Sequence, residues 1–159
     1  MKQVRVVGAG LAGSEAALTL ASLGFHVKLY EMKPKKKTPA QKLDGICELV
    51  CSNSFRSNKP TNAVGLIKDE MLLLNGFLIR LALKCQVPAG DSLAVDRELF
   101  SQLVEEEIKK RPNIELIKEE VEKLWHDEIP TIMATGPLTS EALAKDLVDF
   151  IGHDRLDFY

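Results

Sequence analysis

Cysteine is scarce in this sequence, with three in 159 residues, and so are aromatics, at 6% with a single tryptophan. Cys47, Cys51 and Cys85 cannot all pair, and their spacing fits no zinc motif, which argues against a disulfide scaffold and a cysteine metal site. His26, His126 and His153 lack partners at metal-ligand spacing, so no metal is expected. No apolar run approaches the roughly 18 residues of a membrane span. Met1-Lys2-Gln3-Val4-Arg5 leads straight into a short strand rather than a secretory apolar segment. With 10 glycines and 7 prolines, collagen-like and low-complexity classes drop out. What is present is 45% hydrophobic and 28% charged residue content, enough to bury a core in a chain of this length. The expectation is a soluble, reduced, cytoplasmic α/β protein with no membrane partner.

A formal net charge of −2 conceals an uneven distribution. Residues 28–68 hold nine basic side chains, Lys28, Lys33, Lys35, Lys36, Lys37, Lys42, Arg56, Lys59 and Lys68, against Glu31, Asp44 and Glu48. The segment is thus +6 and the remainder −8. Charge alone favours a solvated loop tip at Lys35–Lys37 over a nucleic-acid surface, although a basic face is what such a surface needs.

Val4, Val6 and Val7 read as a short strand, and Leu11, Ala12, Ala16, Ala17, Leu20 and Ala21 as a helix over 11–23 that Gly24 ends. His26–Tyr30 is a second strand, so the first 31 residues form a right-handed strand–helix–strand unit and imply a parallel sheet. Residues 32–61 carry three prolines and no sustained period, the mark of a functional or mobile connection. Thr61 or Asn62 caps a helix running to Cys85, apolar nearly all round and therefore expected to be well buried. Ser92–Val95 reads as a strand, and Asp96 caps a helix that Pro112 stops. Ile114–Ile117 and Val121–Leu124 read as a pair of strands and Pro130–Ala134 as a third, with a last helix from Thr139 or Ser140 to Ile151. The apolar tail Leu156-Asp157-Phe158-Tyr159 has nothing after it to pack against, and the chain is expected to be truncated.

Gly8-Ala9-Gly10-Leu11-Ala12-Gly13 is a G-x-G-x-x-G between strand and helix, followed 18 residues later by Glu31 at a strand end. Gly8 permits the tight turn, Gly10 lets backbone approach a pyrophosphate, and Gly13 allows close packing of helix on sheet. The helix N-terminus offers free N–H groups to phosphate, and Glu31 offers acceptors to both ribose hydroxyls, against a 2′-phosphate. The pattern alone does not separate FAD from NAD. Its position at the N-terminus, and the later strand Ile132-Met133-Ala134 leading into Thr135-Gly136, lean toward FAD, with an ordinary strand-to-helix turn as the other reading of Thr135-Gly136.

A cysteine among apolar residues is usually a core residue. Cys51, however, is followed by Ser52, Asn53, Ser54, Arg56, Ser57 and Asn58 in the basic connection, a setting that suits a cleft, and a nearby arginine favours the nucleophilic thiolate. Cys47 and Cys85 read as packing residues.

The stretch Gly8–Ala17 resembles the opening of the folate- and flavin-dependent tRNA uridine-5-methyltransferases, the TrmFO family, and of the related GidA group. Glu48-Leu49-Val50-Cys51-Ser52-Asn53-Ser54, Val87-Pro88-Ala89-Gly90 with Leu93–Arg97, and Ala134–Ser140 resemble TrmFO rather than GidA, as do Met32-Lys33-Pro34 and Lys37–Ala40. The resemblance spans essentially the whole chain. It implies a Rossmann-like FAD-binding parallel sheet flanked by helices, of which residues 1–159 are the N-terminal part: 1–31 the dinucleotide unit, 32–61 an active-site loop, 62–159 the remainder. It also implies an enzyme that takes a one-carbon unit from methylenetetrahydrofolate and delivers it as methyl to C5 of the T-loop uridine of tRNA, with NAD(P)H as reductant. Cys51 corresponds to one of two cysteines implicated in catalysis; the second lies beyond this chain. A relative acting on ribosomal RNA, a non-catalytic remnant, and a flavin oxidoreductase that never touches RNA are the competing readings.

Overall fold

The computed structural model describes residues 2–152. Its first strand, β1 (Gln3–Val7), is built on valines that suit a strand buried on both faces. Helix α1 (Leu11–Ser22) follows, and Gly24, at φ 84, turns the chain into β2 (His26–Tyr30). β1 and β2 run parallel in register from Gln3↔His26 to Val7↔Tyr30. Two later strands complete the sheet, β6 (Ile114–Ile117) outside β2 and β7 (Thr131–Met133) on the far side of β1. All pairings in the order β6-β2-β1-β7 are parallel.

Alternation along β1 divides the core. Val6 faces a large cluster with Ala17 and Leu18 of α1, Leu29 of β2 and Phe100, Val104 and Ile108 of α4 (Arg97–Lys109). Val7 points the other way, to Val121 and to Leu143 of α5 (Glu141–Ile151), with Trp125 and Tyr30 packed alongside. Leu18 and Leu29 are fully buried, each worth about 1.5–3 kcal/mol relative to exposure. The Arg5 guanidinium lies 4.5 Å from the Trp125 ring and bonds both Asp127 carboxylate oxygens at 2.8 and 2.6 Å, tying residues 121–130 to the sheet. The arrangement is α/β, a parallel sheet with helices on both faces.

A second, antiparallel sheet of order β3-β5-β4 joins β3 (Ser54–Ser57), β4 (Gln86–Val87) and β5 (Ser92–Val95). It places one strand, β3, inside the connection 32–61, which showed no sustained period in the sequence, and Ser54 Oγ meets Ser92 Oγ at 2.5 Å. The helix expected over 63–85 is two, α2 (Ala63–Leu73) and α3 (Phe77–Lys84). They break at Asn75, whose φ of 60 suits asparagine, and the Glu15 carboxylate caps α3 by accepting from the Phe77 and Leu78 N–H groups, both at 2.8 Å. Nor is α2 well buried, since Leu66, Ile67, Leu73 and Leu74 are exposed. Val121–Leu124 is not a strand. Val121 fills the second core cluster, the Leu124 N–H donates to Asp146, and β6 pairs with β2 instead. Of the two candidate caps Thr61 and Asn62, the structure uses Asn62, which accepts from the Gly65 N–H, and Asp96 is the cap expected, accepting from the Glu98 and Leu99 N–H groups. The tail 156–159 and His153 lie outside the described residues.

Candidate functional site

At the carboxyl ends of β1, β2 and β7 the chain opens into a cleft of about 730 Å³, mouth included. Chain connections leave β1 toward β2 on one side while β7 closes the other, the point where a parallel sheet binds ligands. The glycine loop forms the floor with Gly8, Ala9 and Gly10, Glu31 to Lys33 form one edge, and Ala134 and Thr135 another. Val7, Val50, Val121, Leu138 and Leu143 supply apolar wall.

Each glycine of the loop has a distinct job. A Cβ at Gly8, where φ is 94, would lie 2.7 Å from the Ala134 carbonyl oxygen. A Cβ at Gly13 would lie 1.8 Å from the Gly8 carbonyl oxygen, so α1 packs on the turn only because that atom is missing. A Cβ at Gly10 would meet nothing within 4 Å: this glycine leaves backbone open to the cleft rather than relieving a contact inside the protein. The first turn of α1 holds no acidic residue and Gly10 offers no side-chain cap, so the helix N-terminus keeps free N–H groups and partial positive charge. Ser140 Oγ is buried at the cleft wall with no partner in hydrogen-bond geometry, although it is near enough to Glu120 to help hold that carboxyl down, after the larger effect of the Lys36 ammonium. Open glycine, uncapped helix end and unpartnered hydroxyl fit a phosphate-bearing dinucleotide.

Glu31 is buried at 7% exposure, accepting from the Ala9 N–H at 3.1 Å and the Lys33 N–H at 3.0 Å. Each oxygen thus keeps acceptor capacity on the cleft side. Leu11 and Ala12 are exposed at the start of α1 and belong to a neighbouring apolar groove rather than to the cleft. Gly136, at φ 58, follows Thr135 just outside the lining.

Sequence reasoning missed a buried ion pair in the same cleft. Lys33 Nζ bonds Glu48 Oε2 at 2.9 Å, each side chain 2% exposed, and Glu48 Oε1 accepts the Lys42 and Leu43 N–H groups at 2.7 and 3.1 Å. Burial alone would raise the Glu48 carboxyl, but the Lys42 N–H and the Lys33 ammonium reverse it, and the net shift is downward. Within a run of lysines nothing marks the one that turns inward.

Among the three free cysteines only Cys51 is exposed. It follows Val50, a lining residue, but is not itself in the cleft wall. Cys47 is in the wall, donating its N–H to the Ala9 carbonyl at 2.7 Å, and burial pushes its thiol up to about 12, the wrong direction for a nucleophile. Cys85 is buried, its thiol raised by the same effect. Arg56 stands on β3 with its side chain exposed. Four of the nine basic side chains are paired, Lys33 and Lys37 with Glu48 and Asp44 inside the segment and Lys36 and Lys59 with Glu120 and Asp91 outside it, and Lys68 donates to the Ser57 and Val64 carbonyls. Lys28, Lys35, Lys42, Arg56 and Lys68 have no ion pair among the described residues, and of these Lys68 is buried. No described helix is long and apolar enough to cross a membrane.

Residues 3–155 match the protein family described as Glucose inhibited division protein A. The chain is 56% identical over 156 residues to the methylenetetrahydrofolate–tRNA-(uracil-5-)-methyltransferase TrmFO of Acetivibrio thermocellus, covering 98% of this chain and 36% of that protein. It is 54% identical over 156 residues to the Bacillus subtilis protein of the same name, covering 98% and 35%. This chain therefore spans about a third of the length of the curated relatives it matches. Among solved structures, GidA of Aquifex aeolicus superposes with a TM-score of 0.66 at 16% identity, covering 85% of this chain and 25% of that one, a likeness of fold.

Proposed function

The chain belongs to the Glucose inhibited division protein A family, and from that premise we propose that it forms the dinucleotide-binding part of a methylenetetrahydrofolate- and FAD-dependent tRNA (uracil-5-)-methyltransferase. The observation that carries the reading is the cleft: an open Gly10 and an uncapped helix end at the carboxyl edge of a parallel sheet, in a chain 56% identical to a TrmFO. FAD is the proposed cofactor, and when bound it supplies the hydride chemistry that turns a methylene unit into methyl. Gly10 and the helix end meet the pyrophosphate, Leu11, Ala12 and Gly13 contributing only their backbone N–H groups, while Gly8 and Ala9, whose N–H groups go to the Tyr30 carbonyl and to Glu31, shape the turn beneath it. Glu31 accepts from the ribose hydroxyls, and Thr135 and Gly136 bound the far side. NAD(P)H is the reductant and methylenetetrahydrofolate the one-carbon donor.

Uracil C5 is a poor nucleophile, and a thiolate adding at C6 makes it reactive. Cys51 is the proposed catalytic cysteine, since it alone of the three is exposed to a macromolecular substrate. The tRNA phosphates are met in part by Lys28, Lys35, Lys42 and Arg56. Three unpaired thiols accord with a reducing, cytoplasmic setting.

The test exchanges residues 3–155 of this chain for the corresponding part of the Bacillus subtilis relative and follows labelled one-carbon transfer from methylenetetrahydrofolate to tRNA. The chimera is expected to methylate, and its Cys51→Ala form to keep flavin and lose transfer. Flavin reduction and reoxidation with no transfer by the chimera would contradict the reading.

A further inference from the structure

The buried Lys33–Glu48 pair lines the dinucleotide cleft and ties it to the loop that carries Cys51, two features that the proposed function keeps separate. Bonds run continuously through it. Glu31 accepts the Lys33 N–H, the Lys33 ammonium donates to Glu48, and Glu48 accepts the N–H groups of Lys42 and Leu43. A second tie closes the circuit at the glycine loop, where Ala9 donates its N–H to Glu31 and accepts the Cys47 N–H. Cys51 lies four residues beyond Cys47 and three beyond Glu48.

We propose that Lys33 and Glu48 are positioning residues that couple occupancy of the dinucleotide cleft to the placement of the Cys51 loop. This rests on the cofactor reading above. A ligand that draws on Glu31 pulls on the Lys33 N–H and, through the ammonium, on the segment 42–48. The pair acts through the backbone of residues 42–48 rather than as an acid, base or nucleophile. A buried ion pair is a weak source of net stability compared with apolar residues of similar volume, so specificity of placement is the better account of its presence.

Lys33→Met with Glu48→Leu removes both charges together and avoids an unpaired buried charge, so this double variant is expected to fold, with a melting temperature lowered by the loss of the carboxylate that accepts the Lys42 and Leu43 N–H groups. Glu48→Gln is the companion that keeps a hydrogen-bond acceptor at this position and removes only the charge opposite Lys33. Two readouts are taken on the native chain and both variants: the FAD dissociation constant, and the rate of Cys51 alkylation by iodoacetamide with and without saturating FAD. Native protein is expected to show at least a threefold change in alkylation rate on adding FAD. The double variant is expected to bind FAD about tenfold more weakly and to lose the alkylation response even when saturated, with Glu48→Gln between the two. Variants that fold and keep both the native dissociation constant and the native response overturn the coupling and leave the cofactor reading standing. A native chain that binds no FAD overturns both, and a double variant that does not fold, together with a Glu48→Gln that behaves as native, overturns the positioning role in favour of plain stability.

Discussion

Gly13→Ala adds one methyl group at the most crowded point of the dinucleotide unit. Its Cβ would stand 1.8 Å from the Gly8 carbonyl oxygen, 3.0 Å from the Gly8 carbonyl carbon and 3.2 Å from Ala134 Cβ. The first two are backbone atoms and cannot rotate away, so α1 must withdraw from the glycine turn by more than 1 Å to restore contact distance. Overpacking a close-fitted site by one methylene costs about 1–3 kcal/mol, and a rigid backbone neighbour places this case at or above the upper end, about 3 kcal/mol. The displacement also carries the N-terminus of α1 away from the cleft, so dinucleotide affinity falls with stability. Gly10→Ala is the matched control, because a Cβ there meets nothing within 4 Å and the backbone is at φ −76, an ordinary value. Poorer helix capping by Ala and its smaller unfolded-state entropy are both about 0.5–1 kcal/mol and oppose each other, so Gly10→Ala should melt like the native chain. Its methyl group nevertheless enters the cleft and weakens the dinucleotide. Urea unfolding and FAD titration of the two variants separate the effects. A Gly13→Ala protein within about 0.5 kcal/mol of native stability, with native affinity, would refute the packing argument.

Thiol titration with a chromogenic disulfide should show one fast equivalent in the folded protein and three in denaturant, with Cys51→Ser removing the fast one; a fast Cys47 would contradict its raised thiol. Glu15→Ala should cost about 1–2 kcal/mol by leaving the Phe77 and Leu78 N–H groups without their carboxylate, and denaturant melts read it directly. Asp127 is held at about 2 by its hydrogen bond to Arg5, against an ordinary 3.8. A lowered carboxyl contributes stability that is present above about 3.8 and lost as pH falls to about 2, so the advantage of the native chain over Asp127→Asn should shrink across that window. An advantage that is constant with pH would mean the contact with Trp125, not the ion pair, is what holds residues 121–130.

The parts of the fold that could be read in advance are those governed by local rules. Val4–Val7, the small-residue helix from Leu11, Gly24 and His26–Tyr30 form one contiguous unit, and its parallel pairing follows from a right-handed crossover. Asp96 and Asn62 were legible because a cap is a local bond. The break between α2 and α3 had a signal in Asn75-Gly76, a turn dipeptide overridden by the apolar run around it. The exposure of Leu73 and Leu74 had none, since periodicity says that a face is apolar and not what covers it. Val121–Leu124 was expected to pair with Ile114–Ile117, yet that strand, β6, pairs with β2 instead, a long-range choice. In the site, the glycines and Glu31 announced themselves by spacing, whereas Lys33 and Glu48 are 15 residues apart and meet only through the course of the connection.

The central claim, that this cleft holds FAD, is tested most directly by titrating the purified 159-residue protein with FAD and following quenching of flavin fluorescence, with Gly10→Val alongside. The account predicts saturable one-to-one binding by the native chain and its loss in Gly10→Val, whose side chain occupies the open backbone at the cleft floor. A folded native chain that leaves flavin fluorescence unchanged, or a Gly10→Val protein that binds as tightly as the native one, would contradict it.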